Sequence, residues 1–183
     1  MKEIILLFSG GMDSTLLMIL ALQLGYKPYC LLFDYGQKHK VELEFAMKQC
    51  EKCQLIRQFA YEVVNLDLDV HSKLTDGTEP YKGVSPWHVP ARNLIFISIA
   101  ASIAESHGTD LVWYGANYED REKLFPDCYQ EWVFRLNQLL EINGSSKIKV
   151  EAPLLGMSKE TIDKLRKSYN ITDKEIFSGY GEQ

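Results

Sequence analysis

The residues best suited to chemistry lie near the N-terminus, where a short apolar run leads directly into a loop of glycine, hydroxyl and carboxylate residues. The run spans residues 4–8, and the loop reads Ser9-Gly10-Gly11-Met12-Asp13-Ser14-Thr15. Two adjacent glycines permit backbone conformations closed to other residues, so successive N–H groups can converge on one anion. A helix beginning here adds its positive N-terminal end and its unpaired donors. The sequence therefore predicts a phosphate-binding loop.

The alternative for this loop is a tight strand–helix turn in which Asp13 or Ser14 caps the helix. The complete string at a strand–helix junction favours phosphate binding over that alternative. It is neither Gly-x-x-x-x-Gly-Lys-Ser/Thr nor Gly-x-Gly-x-x-Gly, so it predicts neither a P-loop nucleotide triphosphatase nor a dinucleotide dehydrogenase.

Further candidate site residues follow the expected ends of other strands. Tyr35 and Gln37 follow the second predicted strand and Gly115 follows the fourth, and ligands bind at the carboxyl ends of strands in open α/β sheets. Tyr35 could stack on a purine-like ring or be a half-buried aromatic under a loop, and the sequence leaves both open. Arg92 begins a predicted helix, where a cation opposes the helix dipole. This indicates an anionic partner, with a surface salt bridge as the alternative.

Alternating strands and helices must position these residues. Continuous apolar runs predict strands at residues 4–8, 28–33, 61–66, 111–114 and 148–150. Helical spacing predicts helices at residues 14–24, 41–53, 92–107, 127–142 and 158–168. The long connection 68–89, rich in proline and glycine, is typical of a functional or mobile loop. The pattern predicts one α/β domain over residues 1–183, with a Rossmann-like, doubly wound, mainly parallel five-stranded sheet.

Composition and charge narrow the function. The chain has 183 residues, 46% of them hydrophobic and 25% charged, which suffices for one core without disulfide or metal staples. Its net charge of −5 argues against a direct grip on a nucleic-acid backbone. Neither a long apolar run nor a signal peptide is recognisable, so we expect no membrane segment and a cytoplasmic protein. The cysteines and histidines lack metal-ligand spacing, and no zinc site is expected.

The string Ser-Gly-Gly-x-Asp-Ser resembles the pyrophosphate-loop signature of adenine-nucleotide α-hydrolases, which cleave ATP between its α and β phosphates. Beyond this loop, the chain resembles the QueC family, the 7-cyano-7-deazaguanine synthases. The strings that carry the second resemblance are Phe33-Asp34-Tyr35-Gly36-Gln37-Lys38-His39, Val89-Pro90-Ala91-Arg92-Asn93, Gly115-Ala116-Asn117 with Asp120, Pro126-Asp127-Cys128, Pro153-Leu154 and Lys159-Glu160.

The resemblance implies an ATP-dependent ligase that turns the carboxylate of 7-carboxy-7-deazaguanine into an amide and then a nitrile, with ammonia as nitrogen donor and release of AMP and pyrophosphate. ATP and Mg²⁺ are the implied cofactors, and a homodimer is the implied assembly. The residues implied in catalysis are Ser9, Asp13, Ser14 and Arg92. Those implied to bind ATP are Phe8, Ser9, Gly10, Gly11, Asp13, Ser14, Thr15, Phe33 and Gly115. Those implied to bind substrate are Tyr35, Gln37, His39, Arg92, Asn117, Asp120 and Asp127.

Two of these carboxylates have more specific expectations. Asp13 is the carboxylate best placed by sequence to reach a magnesium ion. Asp127 could read the amino-pyrimidine edge of a deazaguanine, or it could cap the helix expected to begin there.

The chain departs from the family's strings in three places. Ala91 stands where the family usually has glycine, and a methyl group is tolerated there unless the backbone needs a positive φ. The sequence around Pro126-Asp127-Cys128 differs on both sides. The family's C-terminal zinc module of four cysteines has no counterpart at residues 177–181. Either the fold closes that edge without metal, or a protein partner supplies the missing surface, or the chain is a streamlined relative with a different acceptor.

These departures leave two other functions open. One is a ligase that joins the deazaguanine carboxylate to a different amine, such as a macromolecular one. The other is a non-catalytic nucleotide-binding subunit that keeps the fold for assembly with a partner.

Overall fold

A parallel five-stranded sheet forms the centre of the molecule in a computed structural model, which describes residues 2–38, 40–54, 59–68, 70–78, 88–122, 125–144 and 147–172. The strand order is β3-β2-β1-β4-β5, and all neighbouring strands run parallel. This confirms the expected doubly wound α/β fold. The strand order reverses between β1 and β4, which is where such folds bind ligands. The strands are β1 (Glu3–Leu7), β2 (Lys27–Asp34), β3 (Ala60–Asn65), β4 (Leu111–Trp113) and β5 (Lys149–Glu151).

Helices cover both faces of this sheet, and each strand is followed by at least one of them, as is usual for parallel strands. The described helices are α1 (Met12–Gln23), α2 (Lys40–Gln54), α3 (Arg92–His107), α4 (Tyr118–Glu122), α5 (Gln130–Ile142) and α6 (Lys159–Ser168), with one 3₁₀ turn at Pro126–Cys128.

The two faces of β1 explain its continuous apolar sequence. Ile4 and Leu6 are buried in the core shared with α1, α2 and α6, whereas Ile5 and Leu7 are buried in the core shared with α3 and α5. A strand covered on both faces cannot alternate apolar and polar residues. The central strand therefore holds the loop that follows it between two packed layers.

The expected strands and long helices are all present, with shifts of at most three residues at their ends. The largest shift is at α5, which begins at Gln130 rather than at residue 127. Short helix α4 and the 3₁₀ turn occupy the connection between β4 and α5. None of the helices in the described ranges is long and apolar enough to cross a membrane.

Part of the long connection 68–89 packs against the loop after β2. Within the described residues 70–78, Leu74 is buried, and its carbonyl accepts a hydrogen bond of 2.9 Å from the Lys38 N–H. Ser72 is fully buried and its Oγ accepts from the Leu74 N–H at 3.0 Å. This stretch is therefore a compact turn that contributes a wall to the region described next.

Candidate active site

An open cleft of about 820 Å³ lies at the carboxyl edge of the sheet, where β1, β2 and β4 end. Gly10, Thr15 and Asn117 do not line it, and His39 lies outside the described residues. The expected site residues that line the cleft are Phe8, Ser9, Gly11, Asp13, Ser14, Phe33, Tyr35, Gln37, Arg92, Gly115, Asp120 and Asp127. We call residues 9–15 the loop end of the cleft, and Tyr35, Arg92, Asn93 and Asp127 its arginine end.

The loop end is held by its own hydroxyl groups. Ser14 Oγ donates to the Gly11 carbonyl at 3.2 Å and accepts from the Ser9 N–H at 3.3 Å. Gly11 is the N-cap residue of α1 and has no side chain to cap the helix. Asp13 and Ser14 lie inside the first turn, so the capping alternative is wrong. A helix that begins without a side-chain cap presents its first N–H groups to an anion at its N-terminus.

Two glycines allow close approach at this end. Gly10 has φ +74°, and a Cβ there would lie 3.1 Å from the Cα and Cβ atoms of Ala46 on α2. A Cβ at Gly115 would lie 3.2 Å from Asp13 Cβ. The loop backbone therefore packs directly on α2, and the end of β4 packs directly on the first turn of α1.

Asp13 is held by a buried amide. Asn117 is fully buried, and its Nδ2 donates to Asp13 Oδ2 and to Asp120 Oδ2, each at 2.8 Å. The Asp120 N–H donates back to Asn117 Oδ1 at 3.1 Å, and Lys159 Nζ lies 3.3 Å from Asp120 Oδ1. Burial raises the pKa of Asp13, and the Asn117 hydrogen bond opposes that shift. One amide thus fixes two carboxylates from different helices.

The carboxylate pair fits a divalent cation. Asp13 Oδ1 is buried without a hydrogen-bond partner, and hard cations such as Mg²⁺ prefer oxygen ligands. No group of three or more His, Cys, Asp or Glu side chains is placed to hold a metal in the described part of the chain. A magnesium ion here would therefore take some of its ligands from the nucleotide phosphates, as is usual for this ion. Residues 173–183, where the family has its zinc module, lie outside the described ranges.

Thr15 supports the loop from behind. Its Oγ1 donates to Gln49 Oε1 on α2 at 3.5 Å, and both side chains are buried. This contact joins α1 to α2, and neither residue lines the cleft. A direct contact of Thr15 with ATP stays a prediction.

The turn after β2 is fastened by Gln37. Its Oε1 accepts from the Tyr35 N–H at 2.9 Å, and its Nε2 donates to the Phe33 carbonyl at 3.1 Å. The side chain is buried. The amide is therefore engaged at both ends with the backbone, and the expected contact of Gln37 with a substrate edge stays a prediction.

Tyr35 packs under Arg92. The Arg92 guanidinium lies 5.8 Å from the ring centroid, and its Nη1 donates to the Tyr35 hydroxyl at 3.3 Å. Phe96 contacts the same ring at a centroid distance of 5.4 Å, and Tyr35 is only 7% exposed. This packing favours the buried-aromatic alternative for Tyr35, which orients Arg92 at the cleft through a cation–π contact and a hydrogen bond.

Asp127 lies in the 3₁₀ turn before α5. Its Oδ2 accepts a hydrogen bond from Asn93 Nδ2, and its backbone carbonyl accepts from the Tyr114 hydroxyl at 2.7 Å. The N-cap residue of α5 is Tyr129, without a side-chain cap. The capping alternative for Asp127 is therefore wrong. The neighbouring Cys128 is buried, and burial raises the pKa of its thiol to about 12, so the thiol stays protonated at neutral pH.

Among the polar residues of the cleft to which sequence reasoning assigned no role, two contact predicted site residues. Asn93 and Lys159 both line the cleft. Each stands in a string that carried the resemblance, Val-Pro-Ala-Arg-Asn for Asn93 and Lys-Glu for Lys159, and this was the available signal. Their partners, Asp127 and Asp120, could not be read from the sequence.

Solved structures share the fold at low sequence identity. The U34-tRNA thiolase NcsA from Methanococcus maripaludis aligns with a TM-score of 0.58 and 15% identity, over 100% of this chain and 62% of that one. A 4-thiouridine synthetase in complex with RNA and bound ATP aligns with a TM-score of 0.56 and 20% identity, over 96% of this chain and 42% of that one. These likenesses support the fold alone.

Sequence relatives are closer. The 7-cyano-7-deazaguanine synthase of Polynucleobacter asymbioticus is 37% identical over 194 aligned positions, covering 96% of this chain and 77% of the relative. That of Picrophilus torridus is 34% identical over 194 positions, covering 98% and 79%. A family model described as queuosine biosynthesis protein QueC matches residues 3–183. Together with the pyrophosphate-loop cleft, these matches show that the chain belongs to the QueC family.

Proposed function

We propose that this protein is an ATP-dependent ligase that converts 7-carboxy-7-deazaguanine to 7-cyano-7-deazaguanine through an amide, with ammonia as nitrogen donor. The observation that carries the proposal is that the glycine loop with Asp13 and the side chain of Arg92 line one cleft. A nucleotide triphosphate and a carboxylate can therefore meet there. The names of the relatives supply the product, and the carboxylate substrate follows from the resemblance to the family.

The first half-reaction forms an acyl adenylate. A carboxylate oxygen of the substrate attacks the α-phosphorus of ATP, the bond from that phosphorus to the bridging oxygen breaks, and pyrophosphate leaves with the electron pair. Ammonia then attacks the acyl carbon, loses a proton, and AMP leaves to give the amide. For the nitrile, the amide oxygen attacks a second ATP in the same way. Loss of AMP and of the remaining amide protons completes the triple bond.

The loop end would hold the phosphates. Its glycine backbone and the N-terminus of α1 offer donors that need no rearrangement, and preorganised donors of this kind account for much of the catalysis of phosphoryl-group chemistry. The Ser9 and Ser14 hydroxyls, which bond within the loop, would add donors after rotating toward a phosphate. Asp13, with Asp120 beside it, would hold Mg²⁺, which when bound neutralises charge on the phosphates. Lys159 adds a cation next to Asp120.

The arginine end would bind the substrate carboxylate. Arg92 presents planar donors suited to a carboxylate, and the hydrogen bond to Tyr35 restricts its orientation. Apolar side chains around it, including Phe96 and Trp132, would keep water away from the adenylate.

The reaction can be tested with the purified chain, ATP, Mg²⁺, 7-carboxy-7-deazaguanine and ammonium. We expect AMP, pyrophosphate and a product with the mass of the nitrile. Accumulation of the amide alone, or product formation only with another amine, would support the alternative acceptor. Absence of AMP formation under every condition, with Ser9→Ala indistinguishable from wild type in ATP binding, would contradict the proposal and support a non-catalytic subunit. Ser98→Ala, an exposed hydroxyl on α3, is the matched control.

We also infer that the protein is a cytoplasmic homodimer that pairs through α5. Trp132 and Leu136 of this helix face the core and the cleft, but Phe134, Leu139 and Ile142 are 51%, 57% and 83% exposed. Large exposed apolar side chains on one helix are typical of an interface. Light scattering after size-exclusion chromatography should give twice the chain mass for wild type and the chain mass for the double variant Phe134→Glu/Ile142→Glu. Ser98→Glu should stay dimeric, and a monomeric wild type would contradict the inference.

A further inference from the structure

Neither a helix cap nor an ion pair explains the position of the Asp127 carboxylate. It does not cap α5, whose N-cap residue is Tyr129. No Lys, Arg or His side chain among the described residues forms an ion pair with it. It is half-buried and lines the cleft. A carboxylate in a partly desolvated place is costly unless its oxygens accept hydrogen bonds, so donors from a ligand are the expected partners.

The orientation of this carboxylate is fixed from two sides. Tyr114, which is 1% exposed, donates its hydroxyl to the Asp127 backbone carbonyl, and this sets the turn. Asn93, in the first turn of α3, donates its amide to Oδ2. The bond from Asn93 uses one lone pair of one oxygen. Oδ1 and the remaining lone pair of Oδ2 stay available in the cleft as two acceptors of one plane.

Two coplanar acceptors match a particular ligand edge. An amino-pyrimidine ring carries an exocyclic NH₂ next to a ring N–H, and these two parallel donors pair with a carboxylate as a fork. The walls beside Asp127 include the rings of Phe125 and Trp132, and flat aromatic walls suit a planar bicyclic ligand. Asn93 stands directly after Arg92 in the chain. The first turn of α3 therefore holds both the arginine proposed to bind the ligand carboxylate and the amide that bonds to the Asp127 carboxylate.

We propose that Asn93 is a positioning residue that orients the Asp127 carboxylate to accept hydrogen bonds from the amino-pyrimidine edge of the substrate, and that this pair determines specificity for amino-bearing deazapurines. The inference rests on the proposed function for the identity of the substrate. A site built to bond a donor group rejects an analogue that lacks it, because the buried acceptor is then left unpaired.

The test compares 7-carboxy-7-deazaguanine with its analogue that lacks the exocyclic amino group. Binding of each to the intact protein is measured by calorimetry, independently of turnover. We expect wild type to bind the parent about 10- to 100-fold more tightly than the analogue. In Asn93→Ala the parent should lose affinity while the analogue does not, which reduces the ratio to below about fivefold. Asp127→Asn should do the same, because an amide presents only one acceptor.

A merely structural role for Asn93 makes a different prediction. It would weaken both ligands equally and lower the unfolding midpoint, leaving the affinity ratio unchanged. In kinetics, the positioning role raises KM for the deazaguanine substrate, with kcat and the KM for ATP nearly unchanged. Ser98→Ala on the same helix is the control for both measurements.

The outcomes separate this inference from the proposed function. Discrimination in binding that Asn93→Ala abolishes, without AMP formation by wild type, would contradict the reaction but support the contact. AMP formation with an affinity ratio that Asn93→Ala leaves unchanged would overturn the inference and leave the reaction intact. Failure of wild type to bind either compound would overturn both.

Discussion

The two ends of the cleft are built in different ways. At the loop end, the hydrogen bonds among Ser9, Gly11 and Ser14 join residues at most five positions apart. At the arginine end, Arg92 bonds to Tyr35 over 57 positions and Asn93 bonds to Asp127 over 34. The bonds among these three residues are encoded by one string of sequence, although Asp13 and Thr15 of the same end bond to distant residues. The second end exists only once distant segments have packed.

The helices that begin at the two ends of the cleft also differ, in the backbone conformation of the residue before each helix. Gly11 precedes α1 in an extended conformation, and the positive φ of the loop falls on Gly10. Ala91 precedes α3 with φ 52° and ψ 14°, in the left-handed region that disfavours a Cβ. The loop end therefore forms without backbone strain, and the arginine end carries strain next to Arg92. We expect substitutions at the loop end to change the chemistry, and those at the arginine end to change substrate binding and stability.

The largest effect should come from removing the charge of Asp13. Asp13→Asn keeps the shape and a hydrogen bond from Asn117 but removes the carboxylate. We expect kcat/KM to fall by about 10²- to 10³-fold, because Asp13 would hold the Mg²⁺ that neutralises the phosphates, and loss of one electrostatic contribution to a reacting group has an effect of this size. The free energy of unfolding should stay equal or rise, since burial raises the pKa of Asp13 and a buried charge is removed. Pyrophosphate release and chemical denaturation measure the two.

Glu131→Gln is the control for Asp13→Asn. Glu131 is also an acidic residue in the first turn of a helix, but it is exposed and pairs with Arg135 on α5. Its substitution should change kcat/KM by less than about twofold. An Asp13→Asn variant that retains more than a tenth of wild-type activity would mean that the loop end binds phosphate without this carboxylate.

The fold could be predicted from the sequence because its signals are local. Residues 4–8 are apolar on both faces, Gly25 ends α1 with φ +81°, and Ser158 caps α6 by accepting from the Thr161 N–H. Helix α4 was missed because five residues are too few to show a helical period. Asp127 was ambiguous because a carboxylate before a helix is equally a cap, and only the observed start of α5 excludes that.

The contacts that hold the cleft residues in place could not be predicted from the sequence, and the reason is physical. Asn117 bonds to Asp13 over 104 positions of sequence, and the residues next to either one in the sequence do not indicate this contact. Gln37 was expected at a substrate edge, and its place in a matched string could not reveal that its amide fastens the backbone of its own turn. Residue type and position in the sequence identified residues near the cleft. Their hydrogen-bonding partners could be identified only from the folded structure.

An intermediate effect is expected at Arg92. Arg92→Lys keeps the charge but loses the planar fork and the bond to the Tyr35 hydroxyl. We expect KM for the carboxylate substrate to rise by about 10- to 100-fold, as for loss of a charge-assisted hydrogen bond, with the KM for ATP unchanged. Arg135→Lys, at an exposed ion pair on α5, should leave both constants alone. An equal rise of both KM values would place Arg92 at the nucleotide instead and break the distinction between the two ends.

The smallest effect tests the strain at the arginine end. Ala91 occupies a position where the family's string has glycine, and its φ of 52° strains an alanine by about 1–2 kcal/mol, against which the greater freedom of glycine in the unfolded chain counts about 0.5–1 kcal/mol. Ala91→Gly should therefore raise the free energy of unfolding by about 0.5–1 kcal/mol, measured by urea denaturation. Asn170→Gly is the matched comparison, because Asn170 also has a positive φ of 59° but asparagine tolerates it. It should stabilise the protein less. If Ala91→Gly destabilises while Asn170→Gly does not, the left-handed residue before α3 is unstrained. The starts of α1 and α3 would then differ in the charges of their first residues and not in backbone strain.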